Sequence, residues 1–291
     1  LSVEPNYQAI AQRGAVFVHQ ISSLVFSHTD VLLLTFVCGL KTVSIYSMYA
    51  TIYGMVDNII TITSNSIQSA LGQIFNTDRK RYMELHEVFE TYYLALVFSL
   101  LAIATIFILP FMKLYTEGSD INYIDWKLPV LFGMYQLLSY GRVPSNMVIG
   151  FANEFKTTQW RACLEAIINL AVSFVCVFKF GIYGVLFGTI AALIYRANDV
   201  IIFANHHIFK RSMWPTYRKW GVNAIIFILI VILFLEISLK LDSYIGLFMN
   251  AIWISICIVL IFFIINSFVE KKARKIAWQY LKSSFTVFFN R

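Results

Sequence analysis

Arg142 sits within the apolar stretch from Leu128 to Phe151, in the segment Gly141-Arg142-Val143-Pro144-Ser145-Asn146. A guanidinium at the centre of a membrane helix costs roughly 2.5–3.5 kcal/mol on insertion scales, so such a residue marks a bundle interior or a wet pathway. Pro144 removes a backbone donor and kinks or unwinds the helix that carries it. Irregular backbone at membrane depth is tolerated only against protein or water. An arginine at such a break, with Asn146 beside it, is an anion-contact site. The alternative is an internal salt bridge of Arg142 with Asp57 or Asp30, and the two readings agree if the pair opens during a cycle.

Further polar residues recur at helical spacing inside apolar surroundings. His19, Ser23, Phe26 and Asp30 share one helical face, which places an imidazole and a carboxylate about 16 Å apart along the axis. Tyr53, Asp57, Thr61, Ser64 and Gln68 repeat the pattern, with Asn58 and Asn65 beside them. Such a face lines an aqueous cavity or supplies helix–helix hydrogen bonds. Arg161 and Glu165 are spaced for an i,i+4 pair at a membrane edge, Asn169 lies one turn deeper, and Arg196 can pair with Asp199 at i,i+3. The candidate substrate contacts are therefore Arg142, Arg196, Asn146, Asn169 and Gln68. The candidates for ion coupling or internal salt bridges are Asp30, Asp57, His19, Asp199 and Glu165.

Enzyme chemistry finds little here. No His, Cys and acidic residues fall at metal-ligand spacing, no carboxylate lies near His206-His207 in sequence, and no glycine-rich phosphate loop precedes a helix. No metal or cofactor is implied. Cys38, Cys163, Cys176 and Cys257 are scattered singly in apolar surroundings and read as packing residues.

The elements that must position these residues are membrane helices. Of 291 residues, 59% are hydrophobic and 13% charged, about half the charged fraction of soluble domains. With about 20 residues needed to cross about 30 Å of hydrocarbon, eight spans are predicted: 14–38, 43–74, 89–112, 128–151, 160–179, 182–205, 222–240 and 245–268. All should be helical, giving an all-α polytopic bundle. The net charge of +7 comes from loops, so it does not point to nucleic acid. Basic segments at 78–81, 156–161, 210–219 and 271–275 follow every second span, which puts both termini on the cytoplasmic side. Tyr123, Trp126, Trp160, Trp214 and Trp220 fall near predicted interfaces. The last two spans are almost purely apolar apart from Glu236, which Lys240 can neutralise, and they read as accessory. Lys271 to Phe289 reads as a basic amphipathic helix on an anionic leaflet or as a frayed tail. Gly184 and Gly188 form a GxxxG ridge that permits close helix approach.

Several segments in order carry a family resemblance: Thr29-Asp30-Val31-Leu32-Leu33, Gly39-Leu40-Lys41-Thr42-Val43-Ser44-Ile45-Tyr46-Ser47, Phe155 to Arg161, Glu165 to Leu170, and Gly181 to Ile190. Together they resemble the C-terminal half of a bacterial polysaccharide or oligosaccharide flippase of the multidrug, oligosaccharidyl-lipid and polysaccharide exporter superfamily. The resemblance implies two six-helix lobes around a central cavity, with 1–205 as the second lobe, 206–268 as two accessory spans and 269–291 as a basic amphipathic cytoplasmic tail. It also implies a first lobe upstream of Leu1 as partner. The implied activity is flipping of undecaprenyl-diphosphate-linked oligosaccharide across the bacterial cytoplasmic membrane, for cell-surface polysaccharide export, by alternating access coupled to an ion gradient. A cationic cavity suits a diphosphate. Implied partners are the lipid-linked oligosaccharide, the bilayer, a glycan polymerase and glycosyltransferases. Two rival functions remain open: cation-coupled multidrug efflux, for which Asp30 and Asp57 speak, and a non-transporting scaffold subunit of a polysaccharide synthase complex.

Overall fold

The computed structural model describes residues 13–236 and 243–289, with side chains described except at 235, 236 and 283–289. Every regular element among the described residues is helical: α1 Arg13–Val37, α2 Leu40–Thr77, α3 Arg79–Tyr115, α4 Lys127–Gly141, α5 Val143–Phe151, α6 Phe155–Phe180, α7 Ile182–Ile202, α8 Trp214–Glu236, α9 Tyr244–Val269 and α10 Lys271–Phe289. A π-helical turn, Phe203–Ile208, prolongs α7. The protein is an all-α helical bundle. The expected Glu236–Lys240 pair lies outside the residues whose side chains are described.

Six described helices are long and apolar enough to cross a membrane: Arg13–Val37, Arg79–Tyr115, Phe155–Phe180, Ile182–Ile208, Trp214–Phe234 and Tyr244–Val269. Their outer faces carry contiguous large apolar side chains. On α6 these include Ile167, Leu170, Phe174, Val175 and Phe178, and on α9 Phe248, Met249, Ile252, Trp253 and Ile256. Soluble proteins rarely expose apolar patches of that extent, and an acyl-chain solvent accounts for them. This is a multi-pass membrane protein. The two other expected spans correspond to α2, whose composition is more polar, and to the α4–α5 pair, which is interrupted at Arg142.

Two boundaries fall outside the apolar runs. Arg79 to Arg81, expected in a loop, open α3 because the Asp78 side chain caps it, accepting from the Arg81 amide at 3.0 Å. Residues 214–219, likewise expected in a basic loop, form the first turns of α8, where Thr216 and Lys219 are tied to Glu90 of α3.

The described residues gather into two compact units, 13–49 with 145–211 and 50–144 with 212–236 and 243–289, the divisions falling within α2, within α5 and in the loop before α8. In the first unit α6 lies against both α7 and α1. Gly181, in the left-handed region at φ +56°, turns the chain between α6 and α7. The two helices then meet where Gly184 and Gly188 face Cys176 and Ser173, and a Cβ at Gly184 would stand 2.3 Å from the Cys176 carbonyl oxygen. The GxxxG ridge thus packs α7 on α6. In the second unit α3 is the central helix, in contact with α4, α8, α9 and α10, and its buried residues run from Tyr82 to Met112.

Candidate functional site

In the first unit, Asp30 of α1 is buried. Its Oδ2 accepts hydrogen bonds from the Tyr46 hydroxyl and from the Thr189 hydroxyl, each at 2.9 Å. Asn169 of α6 donates to Thr189 Oγ1 at 2.9 Å. Asp30 Oδ1 and Asn169 Oδ1 take no hydrogen bond. No cation among the described residues stands within ion-pair distance of Asp30. A carboxylate held this way inside an apolar bundle is costly as a bare anion. Five oxygens from α1, α2, α6 and α7 therefore gather where a proton or a small hard cation would be accommodated. Spacing grouped Asp30 with His19 and Ser23. In the structure the inward face of α1 instead carries Ala15, Ser22, Thr29 and Asp30, while Ser23 is exposed. Tyr46 and Thr189, the hydrogen-bond partners of Asp30, are absent from the candidates that the sequence offered. Both lie in segments that carry the family resemblance, and nothing local marks them as partners of Asp30.

A second polar cluster joins α6 and α7 in the same unit. Arg196, 4% exposed, donates to Asp199 at 2.7 Å and lies 3.3 Å from Glu165. Arg161 also pairs with Asp199 and stacks its guanidinium over Phe203 at 4.9 Å. The expected Arg161–Glu165 pair along α6 gives way to pairing across the helices. Close approach of α6 to α7 makes the cross-helix carboxylates nearer and better oriented than the i+4 neighbour. Two arginines against two carboxylates leave the cluster formally neutral, with Arg196 already neutralised by its neighbours. His19 Nε2 stands 3.2 Å from the Phe155 carbonyl and 3.2 Å from the Thr158 hydroxyl. His207 lies 3.9 Å from Glu154, a carboxylate that its sequence neighbourhood did not reveal. Asn146, on α5, is exposed.

In the second unit, α2 separates its polar residues by face. Tyr53, Ile60, Ser64 and Leu71 point inward, and the Tyr53 hydroxyl donates to the Pro129 carbonyl at 2.7 Å. Asn58, Thr61, Asn65 and Gln68 form an exposed stripe. Asp57, at the margin between the faces, accepts from Gln136 Nε2 at 2.9 Å. The sequence placed Tyr53, Thr61, Ser64 and Gln68 on one side. The structure splits them: the Tyr53 ring stacks on Phe132 of α4 at 5.7 Å, and the amide-bearing arc lies outward.

Arg142 is a turn residue, half-buried, between α4 and α5 at φ −79° and ψ −12°. The break opens two residues before Pro144, which sits in the first turn of α5, where a missing amide donor costs least. The Pro144 carbonyl lies 3.2 Å from His86 Nε2, a buried side chain of α3. Gly141 leaves room for the Trp220 indole, which also meets Phe98 edge-on at 5.8 Å. Trp220 is half-buried, its ring lying against Gly141 and Phe98, and Tyr123 is buried. Trp126, Trp160 and Trp214 are exposed.

A fully buried ion pair, Lys219 with Glu90 at 2.6 Å, joins α8 to α3. Thr216 donates to the other Glu90 oxygen at 2.8 Å. The pair is 129 positions apart in the chain, too far for any spacing rule. Among the described residues no group of three or more His, Cys, Asp or Glu side chains is gathered as for a metal ion. Compared with known proteins, the chain matches no family model, no curated protein and no solved structure.

Proposed function

We propose that this chain is a transporter lobe that moves an amphiphilic, anionic substrate through a membrane by alternating access. The observation that carries the reading is the stripe Asn58, Thr61, Asn65 and Gln68, exposed along one face of α2. Amide and hydroxyl groups facing hydrocarbon would each carry a desolvation cost, so this face belongs against water or against a second lobe. Arg142 stands at a helix break in the same unit as this stripe, and a planar guanidinium binds phosphate oxygens in pairs. The choice of undecaprenyl-diphosphate-linked oligosaccharide as substrate, of the bacterial cytoplasmic membrane as location and of a first lobe, glycan polymerase and glycosyltransferases as partners rests on the family resemblance. The Asp30 constellation supplies a place for a coupling proton or cation. That buried carboxylate also supports a second reading, cation-coupled efflux.

The test is export in a host whose own flippase has been deleted and which supplies any partner lobe. Arg142→Ala should abolish surface glycan at normal membrane abundance, and Arg142→Lys should retain part of it because the charge survives. Asn65→Leu with Gln68→Leu should also lower export without loss of protein. Normal glycan export in all three variants would overturn the transport reading. Normal glycan export together with lost resistance to cationic drugs in Asp30→Asn would favour efflux.

A further inference from the structure

Near the junction of α9 and α10 three acidic side chains each hold a cation. Glu270, whose amide closes α9 on the Asn266 carbonyl at 2.8 Å, is gripped by Arg218 through contacts of 2.7, 2.9 and 3.1 Å. Glu87 takes Lys272 at 2.7 Å and Glu90 takes Lys219 at 2.6 Å. These pairings use Arg218, Lys272 and Lys219, and leave Lys271, Arg274 and Lys275 over. Arg274 and Lys275 follow Lys271 by one turn of α10; all three are exposed and meet no carboxylate at ion-pair distance among the described residues, the Arg274 guanidinium lying 5.7 Å from the Phe268 ring.

They line a cleft of about 710 Å³. Its other walls are Tyr92, whose hydroxyl lies 3.0 Å from Ser267 Oγ, and the apolar side chains of Trp278 and Leu281. Tyr92, stacked on Phe263 at 5.7 Å, also borders a second cavity of about 360 Å³, whose walls include Ile67, Leu85, Val88 and Leu96. A cleft with three cations that meet no carboxylate thus shares the Tyr92 side chain with an apolar one. The cationic cleft begins where the 26-residue apolar helix α9 ends, the level at which lipid headgroups sit. A small anion would use the cations and leave the apolar walls unsatisfied. An amphiphile with a phosphate head uses both.

We propose that this cleft is a binding site for an anionic phospholipid, its phosphate held by Lys271, Arg274 and Lys275 and an acyl chain laid past Tyr92 into the apolar cavity. The proposal is independent of the transported substrate. Each cation near an anionic headgroup favours it by roughly fivefold, so three give a preference on the order of 100-fold over a zwitterionic lipid.

Trp278, 68% exposed in the cleft wall, provides the readout. The full chain is reconstituted in phosphatidylcholine vesicles containing a minor fraction of either brominated phosphatidylglycerol or brominated phosphatidylcholine. Quenching of Trp278 is taken as the difference from Trp278→Phe. Brominated phosphatidylglycerol should quench at a far lower mole fraction than brominated phosphatidylcholine. That preference should vanish in Lys271→Gln/Arg274→Gln/Lys275→Gln and persist in Lys282→Gln, whose site is not part of the cleft. Equal quenching by the two lipids would overturn the proposal. So would a preference kept in the triple variant, or one lost equally in Lys282→Gln, which would mean diffuse attraction to charge. Displacement of phosphatidylglycerol by millimolar inorganic phosphate would reassign the site to a free anion, and displacement only by a polyprenyl phosphate would reassign it to that carrier.

Discussion

Alanine at Gly184 or Gly188 should loosen the α6–α7 pair and the hydrogen bonds around Asp30 that depend on it. At Gly184 the new Cβ would stand 2.3 Å from the Cys176 carbonyl oxygen, and at Gly188 2.5 Å from the Ser173 amide nitrogen. Comfortable non-bonded contacts lie near 3.5 Å, so the helices must part by about 1 Å. Both neighbours are backbone, and no rotamer change removes them. Overpacking of this kind costs about 1–3 kcal/mol, with backbone contacts at the upper end. The better helix propensity of alanine offsets about 1 kcal/mol. A net loss of about 2 kcal/mol lowers the melting temperature by about 3 °C for a chain of this size. Gly221→Ala, where nothing lies within 4 Å of the added Cβ, gains the propensity alone and should melt at or above the parent. The assay is thermal unfolding of the full chain in detergent, followed by a thiol-reactive fluorophore. With Cys38 and the exposed Cys257 replaced by serine in every variant, Cys163 and Cys176 on α6 report its exposure. Melting of Gly184→Ala and Gly188→Ala at or above Gly221→Ala would refute the close-packing argument.

Lys219→Met leaves Glu90 buried without its cation and should cost about 3–5 kcal/mol, read as loss of membrane abundance; Lys219→Met with Glu90→Gln should recover most of it, and unchanged abundance in the single variant would refute the account. Single cysteines at Arg79 and Lys272, in an otherwise cysteine-free chain, should be labelled from the same side of the membrane, because Lys272 pairs with Glu87 near the start of α3. A cysteine at Ser119, past the other end of α3, should be labelled from the opposite side, and the positive-inside pattern makes that side the exterior. Labelling of Ser119 only after permeabilisation would reverse the orientation.

The apolar runs of this chain suffice to decide that it is an all-α membrane protein. Hydrocarbon permits little besides helices long enough to cross it, so local composition and length carry that information. The GxxxG ridge at Gly184 and Gly188 and the Arg196–Asp199 pair were legible for the same reason: each is a statement about neighbours within two turns of one helix. What the tertiary structure alone decided is which partners meet across helices. Spacing offered Glu165 to Arg161, and packing gave it Asp199. The Asp30 carboxylate found Tyr46 and Thr189, residues 16 and 159 positions away. Helical periodicity fixes an angle around an axis but not what stands opposite. The α2 stripe shows the limit most directly. A broad polar arc was visible in the sequence, yet only the packing of Tyr53 on α4 shows which side turns inward, with Ser64 buried and Asn65 and Gln68 exposed.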